Sequence, residues 1–171
     1  TKVKNVSLSI ENEGDVICLL GPSGIGKTTI LRTIAGLEKI KSGSIELKGN
    51  ILASDKKNLE PEDRNISLAF QENSLFPHYN VEKNILLGAE RNKEKKDKKI
   101  SLKELVDLFD IFHILNKYPH QISAGEAQRA SLARSLITQP DLLLLDEPLS
   151  NVDQSFKEEI QVRLKKILNK Y

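Results

Sequence analysis

One short motif constrains the fold of this chain more than any other feature. Residues Gly21 to Thr28 read Gly-Pro-Ser-Gly-Ile-Gly-Lys-Thr and match G-x-x-x-x-G-K-[ST] at every fixed position. The apolar run from Val16 to Leu20 predicts a buried strand before the motif, and apolar residues recur at helical spacing from Ile30 to Leu37 after it. A strand, a glycine-rich turn and a helix in this order predict a phosphate-binding loop in an α/β fold.

The residue types in this phosphate loop suit a triphosphate ligand. Glycines allow the backbone to curl closely around phosphate oxygens, and the N–H groups at the start of the following helix face that negative charge with the positive end of the helix dipole. Lys27 supplies a point charge for the β- and γ-phosphates, and Thr28 supplies a hydroxyl for Mg²⁺. The motif therefore predicts a site for ATP and Mg²⁺.

Length and composition indicate one globular domain. The chain has 171 residues, of which 39% are hydrophobic, and its 26 basic and 24 acidic residues give a net charge of +2. This balance does not indicate a nucleic-acid partner. Cys18 lies in the predicted buried strand, where we interpret it as a small core residue in a reduced, cytosolic protein. No run is apolar for the roughly 20 residues that cross a bilayer, so a link to a membrane is expected to be through a partner.

Alternating and continuous apolar runs predict four further strands. Val6 to Ile10 alternates as a half-buried strand does, and Ser44 to Lys48 alternates before a tight turn at Gly49-Asn50. Ile66 to Phe70 and Leu142 to Leu145 are compact apolar runs typical of buried strands. Together with the motif they predict a mostly parallel core sheet with an antiparallel β portion near the N-terminus.

Capping patterns predict the helices of the second half. Ser101 with Glu104 resembles a capping box before an apolar helical face, and Ser123 is the expected N-cap of a helix from about Ala124 to Leu136. Apolar spacing from Ile160 to Leu168 predicts a final amphipathic helix. The charged stretch between residues 90 and 99 is interpreted as a solvated linker or helix end.

Polar residues at the ends of two predicted strands complete a candidate site. Asp146 ends the leucine strand, where its carboxylate can hold Mg²⁺ beside the phosphate loop. Glu147 is then free to polarise an attacking water as a general base. Gln71 ends its own strand and can complete the shell around Mg²⁺ or the water.

At this point the chain resembles the nucleotide-binding subunit of an ATP-binding cassette (ABC) transporter. Gly21 to Thr28 matches the Walker A motif, and Gln71 matches the Q-loop. Ile122 to Glu126 matches the family signature, Leu142 to Asp146 the Walker B strand, and Leu149 to Asp153 the D-loop. The motifs come in the family's order, and the resemblance covers essentially the whole chain. The resemblance implies a P-loop NTPase of ABC type with a helical subdomain at approximately residues 84–119, followed by the signature helix.

The signature implies a second copy. In the family two cassettes pack head to tail, and the resemblance implies that Ser123 and Gly125 contact the γ-phosphate of ATP held by the other subunit. The sequence departs from the usual Leu-Ser-Gly-Gly-Gln at Ile122, Ala124 and Glu126. Glu126 brings a negative charge toward a phosphate, which is expected to weaken the closed dimer.

The residues after Gln71 resemble the importer branch that handles sugars, iron, polyamines, thiamine and inorganic anions. The resemblance implies that Leu75, Phe76 and Tyr79 dock on a membrane subunit, although an apolar cluster packed on the helical subdomain fits these residues equally well. The family's adenine-stacking aromatic and switch histidine have no counterpart between Thr1 and Tyr171. We therefore expect this single domain, residues 1–171, to be truncated at both ends, and the isolated fragment to be inactive as an ATPase because the switch-histidine region is absent.

The resemblance implies an ATPase that energises a bacterial-type importer from the cytoplasmic face of the membrane. Its partners would be permease subunits, a second ATPase subunit and a substrate-binding protein. A soluble ABC ATPase of the translation type, or a nucleotide-binding module with little turnover, remain the alternatives. The residues expected to bind ATP are Gly21, Pro22, Ser23, Gly24, Ile25, Gly26, Lys27, Thr28, Thr29, Ser123 and Gly125; those expected in catalysis are Lys27, Gln71 and Glu147; and the expected metal ligands are Thr28, Gln71 and Asp146.

Overall fold

The computed structural model describes residues 3–69, 75–90, 100–147, 157–158, 160 and 162–165. These residues form two compact units. The first unit comprises Thr1–Leu68 and Asp141–Asp146, and the second comprises Ala69–Pro140 and Glu147–Tyr171.

The first unit contains a helix and an antiparallel hairpin. Helix α1 is Lys27–Ala35, and strands β1 (Ser44–Leu47) and β2 (Asn50–Ser54) pair in antiparallel register. The two turn residues are Lys48 and Gly49, with φ angles of 50° and 76°. The turn therefore lies one residue earlier than the predicted Gly49-Asn50, because a two-residue hairpin turn of this type needs positive φ at both central residues to match the strand twist.

A second strand pair confirms two of the predicted buried strands. Strand β3 is Ile66–Ala69, and it pairs with β4, which is Leu142–Leu145. The Asp141 N–H donates to the Asn65 carbonyl at 2.9 Å. Because each of these residues directly precedes its strand, both strands begin at the same edge and run parallel. Helix α1 packs against β4 and so lies beside this pair.

Two other predicted strands are absent. Residues 6–10 and 16–20 are not in strands, and Val16 and Leu20 are 64% and 91% exposed. Cys18 is exposed as well, so its assignment to the core was wrong. An apolar run becomes a buried strand only when other strands pair with it and helices cover it. Within the described residues the ladders join β1 to β2 and β3 to β4, and none includes residues 16–20.

A buried arginine fixes the end of α1 within the first unit. Arg64 is only 2% exposed, and its guanidinium donates to the carbonyls of Thr33 and Ile34 in the last turn of α1 at 3.1 and 2.7 Å. It also donates to the Leu59 carbonyl and to Asn58 Oδ1. Burial lowers the pKa of Arg64. The guanidinium thus joins α1 to the segment that leads into β3.

Helices form the core of the second unit in the part of the chain that the structure describes, and the two predicted with N-caps are confirmed. They are α2 (Val81–Glu90), α3 (Leu102–Phe109) and α4 (Ala124–Ile137). The capping boxes at the starts of α3 and α4 are both formed. Helix α4 packs against both α2 and α3 and buries most of its residues, so it is the centre of this unit.

The contact between α2 and α4 is close. A Cβ atom added to Gly88 of α2 would lie 2.6 Å from the Arg134 carbonyl oxygen and 2.9 Å from Ile137 Cγ2 on α4. No real Cβ atom approaches other atoms so closely, so only glycine fits this crossing. Residues 157–158, 160 and 162–165 are helical, with Ile160 buried, as expected for part of the final amphipathic helix. None of the helices in the described part of the chain has the length and apolarity that a membrane span requires.

Candidate functional site

The phosphate loop leads directly into α1. Gly24 and Gly26 have φ angles of 81° and 111°, in the region that L-residues other than glycine rarely adopt. Gly26 is the N-cap of α1, and the helix begins at Lys27. The Lys27 ammonium donates to the carbonyls of Gly21 and Pro22 at 2.7 and 3.1 Å. The loop is therefore closed on itself by the lysine that the sequence predicts to meet phosphate.

The start of α1 differs from the starts of α3 and α4. A helix leaves its first N–H groups without intrahelical partners, and side-chain caps usually satisfy some of them. At α3 and α4, Ser101 and Ser123 serve as such caps. The N-cap of α1 is glycine, with no side-chain hydrogen bond and no acidic residue in the first turn. The positive end of this helix is left for an external anion.

Oxygen donors suited to Mg²⁺ are found at two places in the first unit. Thr28 is exposed in the first turn of α1, and Asp146 is half-buried directly after β4, the strand against which α1 packs. A hydroxyl and a carboxylate are hard oxygen ligands, and Mg²⁺ in phosphate sites is usually held by one or two protein groups together with the substrate phosphates. The donor set therefore fits this ion. Gln71, the third predicted ligand, lies outside the described residues.

Glu147 adopts an unusual backbone conformation. Its φ is 47°, its side chain is exposed, and its carbonyl accepts a hydrogen bond from the Gln128 side-chain amide at 3.3 Å. Gln128 is 2% exposed and lies on α4. The sequence did not indicate this role for Gln128, because nothing in the pattern relates a residue in the middle of α4 to a turn after β4.

The signature residues form a closed network at the start of α4. Glu126 Oε2 accepts hydrogen bonds from the Ser123 backbone N–H at 2.7 Å and from the Ser123 hydroxyl at 2.8 Å. The Ser123 oxygen in turn accepts from the Glu126 N–H at 3.2 Å. Ser123 and Ala124 are exposed, whereas Gly125 and Glu126 are half-buried. The acidic side chain that replaces glutamine thus folds back onto its own helix.

His113 extends this network. Its Nε2 lies 2.8 Å from Glu126 Oε1, so both oxygens of the carboxylate have partners. The hydrogen bond from the Ser123 backbone amide, with those from the Ser123 hydroxyl and His113, outweighs the opposing effect of partial burial and lowers the pKa of Glu126 from 4.5 to about 2. Glu126 is therefore an anion at neutral pH. No local pattern indicates this role for His113, because it lies 13 positions before Glu126 in the chain.

The structure distributes the predicted site residues over both units. Gly21 to Thr29 and Asp146 belong to the first unit, where α1 and β4 are neighbours. Ser123, Gly125 and Glu147 belong to the second. Gln71 and the D-loop motif from Leu149 to Asp153 lie outside the described residues.

The segment before α2 is held by one buried side chain. Asn84 is fully buried; its Oδ1 accepts from the Phe76 N–H at 2.7 Å, and its amide donates to the carbonyls of Phe76, Tyr79 and Asn80. Leu75 is buried, whereas Phe76 is 46% exposed, so Leu75 belongs to the interior of the unit rather than to a docking surface. The sequence analysis did not single out Asn84; the signal that could have found it is an asparagine beside the apolar residues Val81 and Ile85, at spacing that places all three on one face of a helix.

Comparisons with known proteins agree with this arrangement. The model of the family described as "ABC transporter" matches residues 3–150. The molybdate/tungstate import ATP-binding protein WtpC of Methanocaldococcus jannaschii is 47% identical over 97% of this chain and 54% of its own length. The Fe(3+) ions import ATP-binding protein FbpC of Fusobacterium nucleatum is 41% identical over 98% of this chain and 44% of its own length. The chain thus spans about half the length of these relatives.

Solved structures show the same fold. The dimeric structure of MJ0796, a bacterial ABC transporter cassette, matches 97% of this chain and 74% of its own with a TM-score of 0.80 and 28% identity. The same cassette in a post-hydrolysis dimer bound to ADP and Pi matches with a TM-score of 0.79. These matches confirm the α/β P-loop fold with parallel and antiparallel strand pairs. On its sequence, its fold and the order of its motifs, the chain belongs to the ABC transporter family.

Proposed function

We propose that the protein containing this chain binds and hydrolyses ATP to drive a membrane importer. The observation that carries the proposal is the start of α1: a glycine N-cap without side-chain bonds, no acidic residue in the first turn, and Lys27 directly at the loop. Together with the relatives, which are named as import ATP-binding proteins, this favours a triphosphate ligand over a structural turn.

Nucleotide binding would use the main chain of the phosphate loop. The N–H groups from Gly21 to Thr29 would donate to phosphate oxygens, and the Lys27 ammonium would exchange its present carbonyl partners for the β- and γ-phosphates. Because the exchange replaces two neutral acceptors with charged oxygens, it favours the bound state.

Hydrolysis would use residues at the ends of the strands. Thr28, Gln71 and Asp146 would hold Mg²⁺, which supplies charge neutralisation on the transferring phosphoryl group. Glu147 would accept a proton from the attacking water, which it can do as an exposed carboxylate not committed to the metal. Lys27 would stabilise the charge that develops in the transition state.

Partners follow from the signature and the relatives. Ser123 and Ala124 are exposed at the start of α4, as an interface with a second cassette requires, and Ser123 and Gly125 would contact the γ-phosphate that this cassette holds. Permease subunits and a substrate-binding protein would complete an importer, with the ATPase at the inner face of the cell membrane. Phe76 and Tyr79, whose backbone is held by hydrogen bonds to Asn84, would then lie on the surface that meets the permease.

Binding is tested first, with a fluorescent ATP analogue and the full-length protein. The Lys27→Ala variant should lose most of its affinity, whereas Lys41→Ala, an exposed lysine after α1, should bind as the unchanged protein does. Equal affinity of all three proteins would refute the phosphate loop as the nucleotide site.

Turnover and coupling are tested separately. Steady-state phosphate release should fall at least about 100-fold in Glu147→Gln while nucleotide affinity is kept, because the change removes the base and leaves the binding site. Unchanged phosphate release in Glu147→Gln would show that this residue is not the general base.

Copurification with membrane subunits should distinguish an importer from a translation factor, which would sediment with ribosomes instead.

A further inference from the structure

The two donors that Ser123 presents at the start of α4 are already bonded. Both its backbone N–H and its hydroxyl donate to Glu126 Oε2, at 2.7 and 2.8 Å. A hydroxyl carries a single proton, so the Ser123 hydroxyl cannot donate to Glu126 and to another acceptor at the same time.

The carboxylate is fixed in this place by more than Ser123. His113 Nε2 lies 2.8 Å from its second oxygen, and the positive end of α4 favours a negative charge at this position. The side chain is 18% exposed, so solvent screens its charge only partly.

A phosphate that approached Ser123 would meet this anion. The proposed function gives the same Ser123 donors to the γ-phosphate of ATP bound by a second cassette. If the Glu126 carboxylate and the γ-phosphate both bonded to the Ser123 N–H and hydroxyl, the two anions would lie within a few ångströms of each other. Their repulsion would oppose binding of the phosphate. One of them has to leave the Ser123 donors.

We infer that Glu126, held by His113, sets the affinity of the signature for the second cassette's ATP by competing as an internal anion for the donors of Ser123. The inference rests on the proposed function and concerns closure of the dimer rather than binding of ATP to the phosphate loop. Glu126 is thus a positioning residue that acts through Ser123.

The test compares Glu126→Gln with a matched control. Glutamine at this position keeps the capping box and the side-chain length but removes the charge. The control is Glu104→Gln, because Glu104 forms the same box with Ser101 at the start of α3, with its Oε2 2.9 Å from both the Ser101 N–H and hydroxyl. Both variants neutralise the carboxylate of a serine capping box, and only Glu126→Gln alters the signature.

The fraction of full-length protein that forms a dimer is measured by sedimentation velocity at increasing concentrations of a non-hydrolysable ATP analogue. Affinity of the monomer for the analogue is measured in parallel by fluorescence. Glu126→Gln should reach half-maximal dimer at about tenfold lower analogue concentration, with unchanged monomer affinity, whereas Glu104→Gln should match the unchanged protein.

Three results would overturn the inference. Dimer formation that is the same or weaker in Glu126→Gln shows that the carboxylate does not compete. An equal gain in Glu104→Gln shows a general effect of helix capping. If no variant forms a dimer at saturating analogue, Glu126 has no binding event to compete with, and the inference fails. The proposed nucleotide site would still stand in that case if the monomer bound the analogue and the Lys27→Ala variant did not.

Discussion

The side-chain amide of Gln128, in the interior of α4, donates to the backbone carbonyl of Glu147, whose φ of 47° is in the left-handed region. Non-glycine residues adopt this region rarely and at some cost in energy, so the surrounding structure has to hold them there. The bond links the helix that begins at the signature to the carboxylate proposed as general base. It offers a direct way for the position of α4 to affect the orientation of Glu147.

Replacing Gln128 with leucine should therefore slow catalysis without weakening nucleotide binding. Loss of one hydrogen bond that orients the base should lower kcat for phosphate release by about tenfold, while the affinity for ATP stays unchanged because the phosphate loop is untouched. Steady-state kinetics measure both quantities. Ser135→Ala is the control, since Ser135 is also a buried polar residue of α4 and its hydroxyl donates within the helix, to the Ser131 carbonyl. A parallel loss of kcat in both variants would contradict the role of Gln128.

Gly88→Ala should destabilise the second unit, although helix propensity alone predicts the opposite. Alanine in place of glycine inside a helix normally stabilises by about 0.5–1 kcal/mol. Here the new Cβ atom would lie 2.6 Å from the Arg134 carbonyl oxygen, so α2 and α4 must move apart. We expect the free energy of unfolding to fall by about 1–3 kcal/mol, measured by urea denaturation. A gain in stability would show that the helices do not cross this closely.

Arg64→Met should strongly destabilise the first unit. The change leaves the carbonyls of Thr33, Ile34 and Leu59 without their buried donor, which should lower the free energy of unfolding by about 2–4 kcal/mol. Arg64→Lys should recover little, because an ammonium cannot reproduce the planar set of donors. Arg32→Met serves as control: Arg32 pairs with Glu38 at 3.5 Å on the surface, and its loss should change stability by less than about 0.5 kcal/mol. Full stability of Arg64→Lys in urea denaturation would contradict this account.

Stability should depend on Glu126 in acid. The pKa of its carboxyl is lowered from 4.5 to about 2 in the folded protein, so the charged form stabilises the fold above pH 4.5. This contribution, at most about 3 kcal/mol, is lost as the pH falls from 4.5 toward 2, because the unfolded chain takes up the proton first. As the pH is lowered over this range, the unfolding temperature of the unchanged protein should fall more steeply than that of the Glu126→Gln variant. Parallel curves for the two proteins would show that the carboxylate is not held by Ser123 and His113.

Local patterns in the sequence were sufficient where the structure depends on neighbouring residues. Ser101 with Glu104 predicted the start of α3, and Ser123 as an N-cap predicted the start of α4, because helix caps form between residues only a few positions apart. The same reasoning was insufficient for residues 6–10 and 16–20, which have the apolar pattern of strands but are exposed, apart from the half-buried Leu19. Whether such a run is buried depends on which strands pair with it, and this is not a local property.

The sequence by itself determined the family, the phosphate loop at the start of α1, the signature helix and the order of the motifs, because each of these is encoded in a contiguous stretch of residue types. Only the tertiary structure decided which distant groups meet. Arg64 binds the end of α1, Gln128 binds the carbonyl of Glu147, and His113 fixes Glu126 against Ser123. These contacts join residues that are 13 to 30 positions apart in the chain, and they arise from the packing of whole helices and strands, for which a single sequence carries no local pattern.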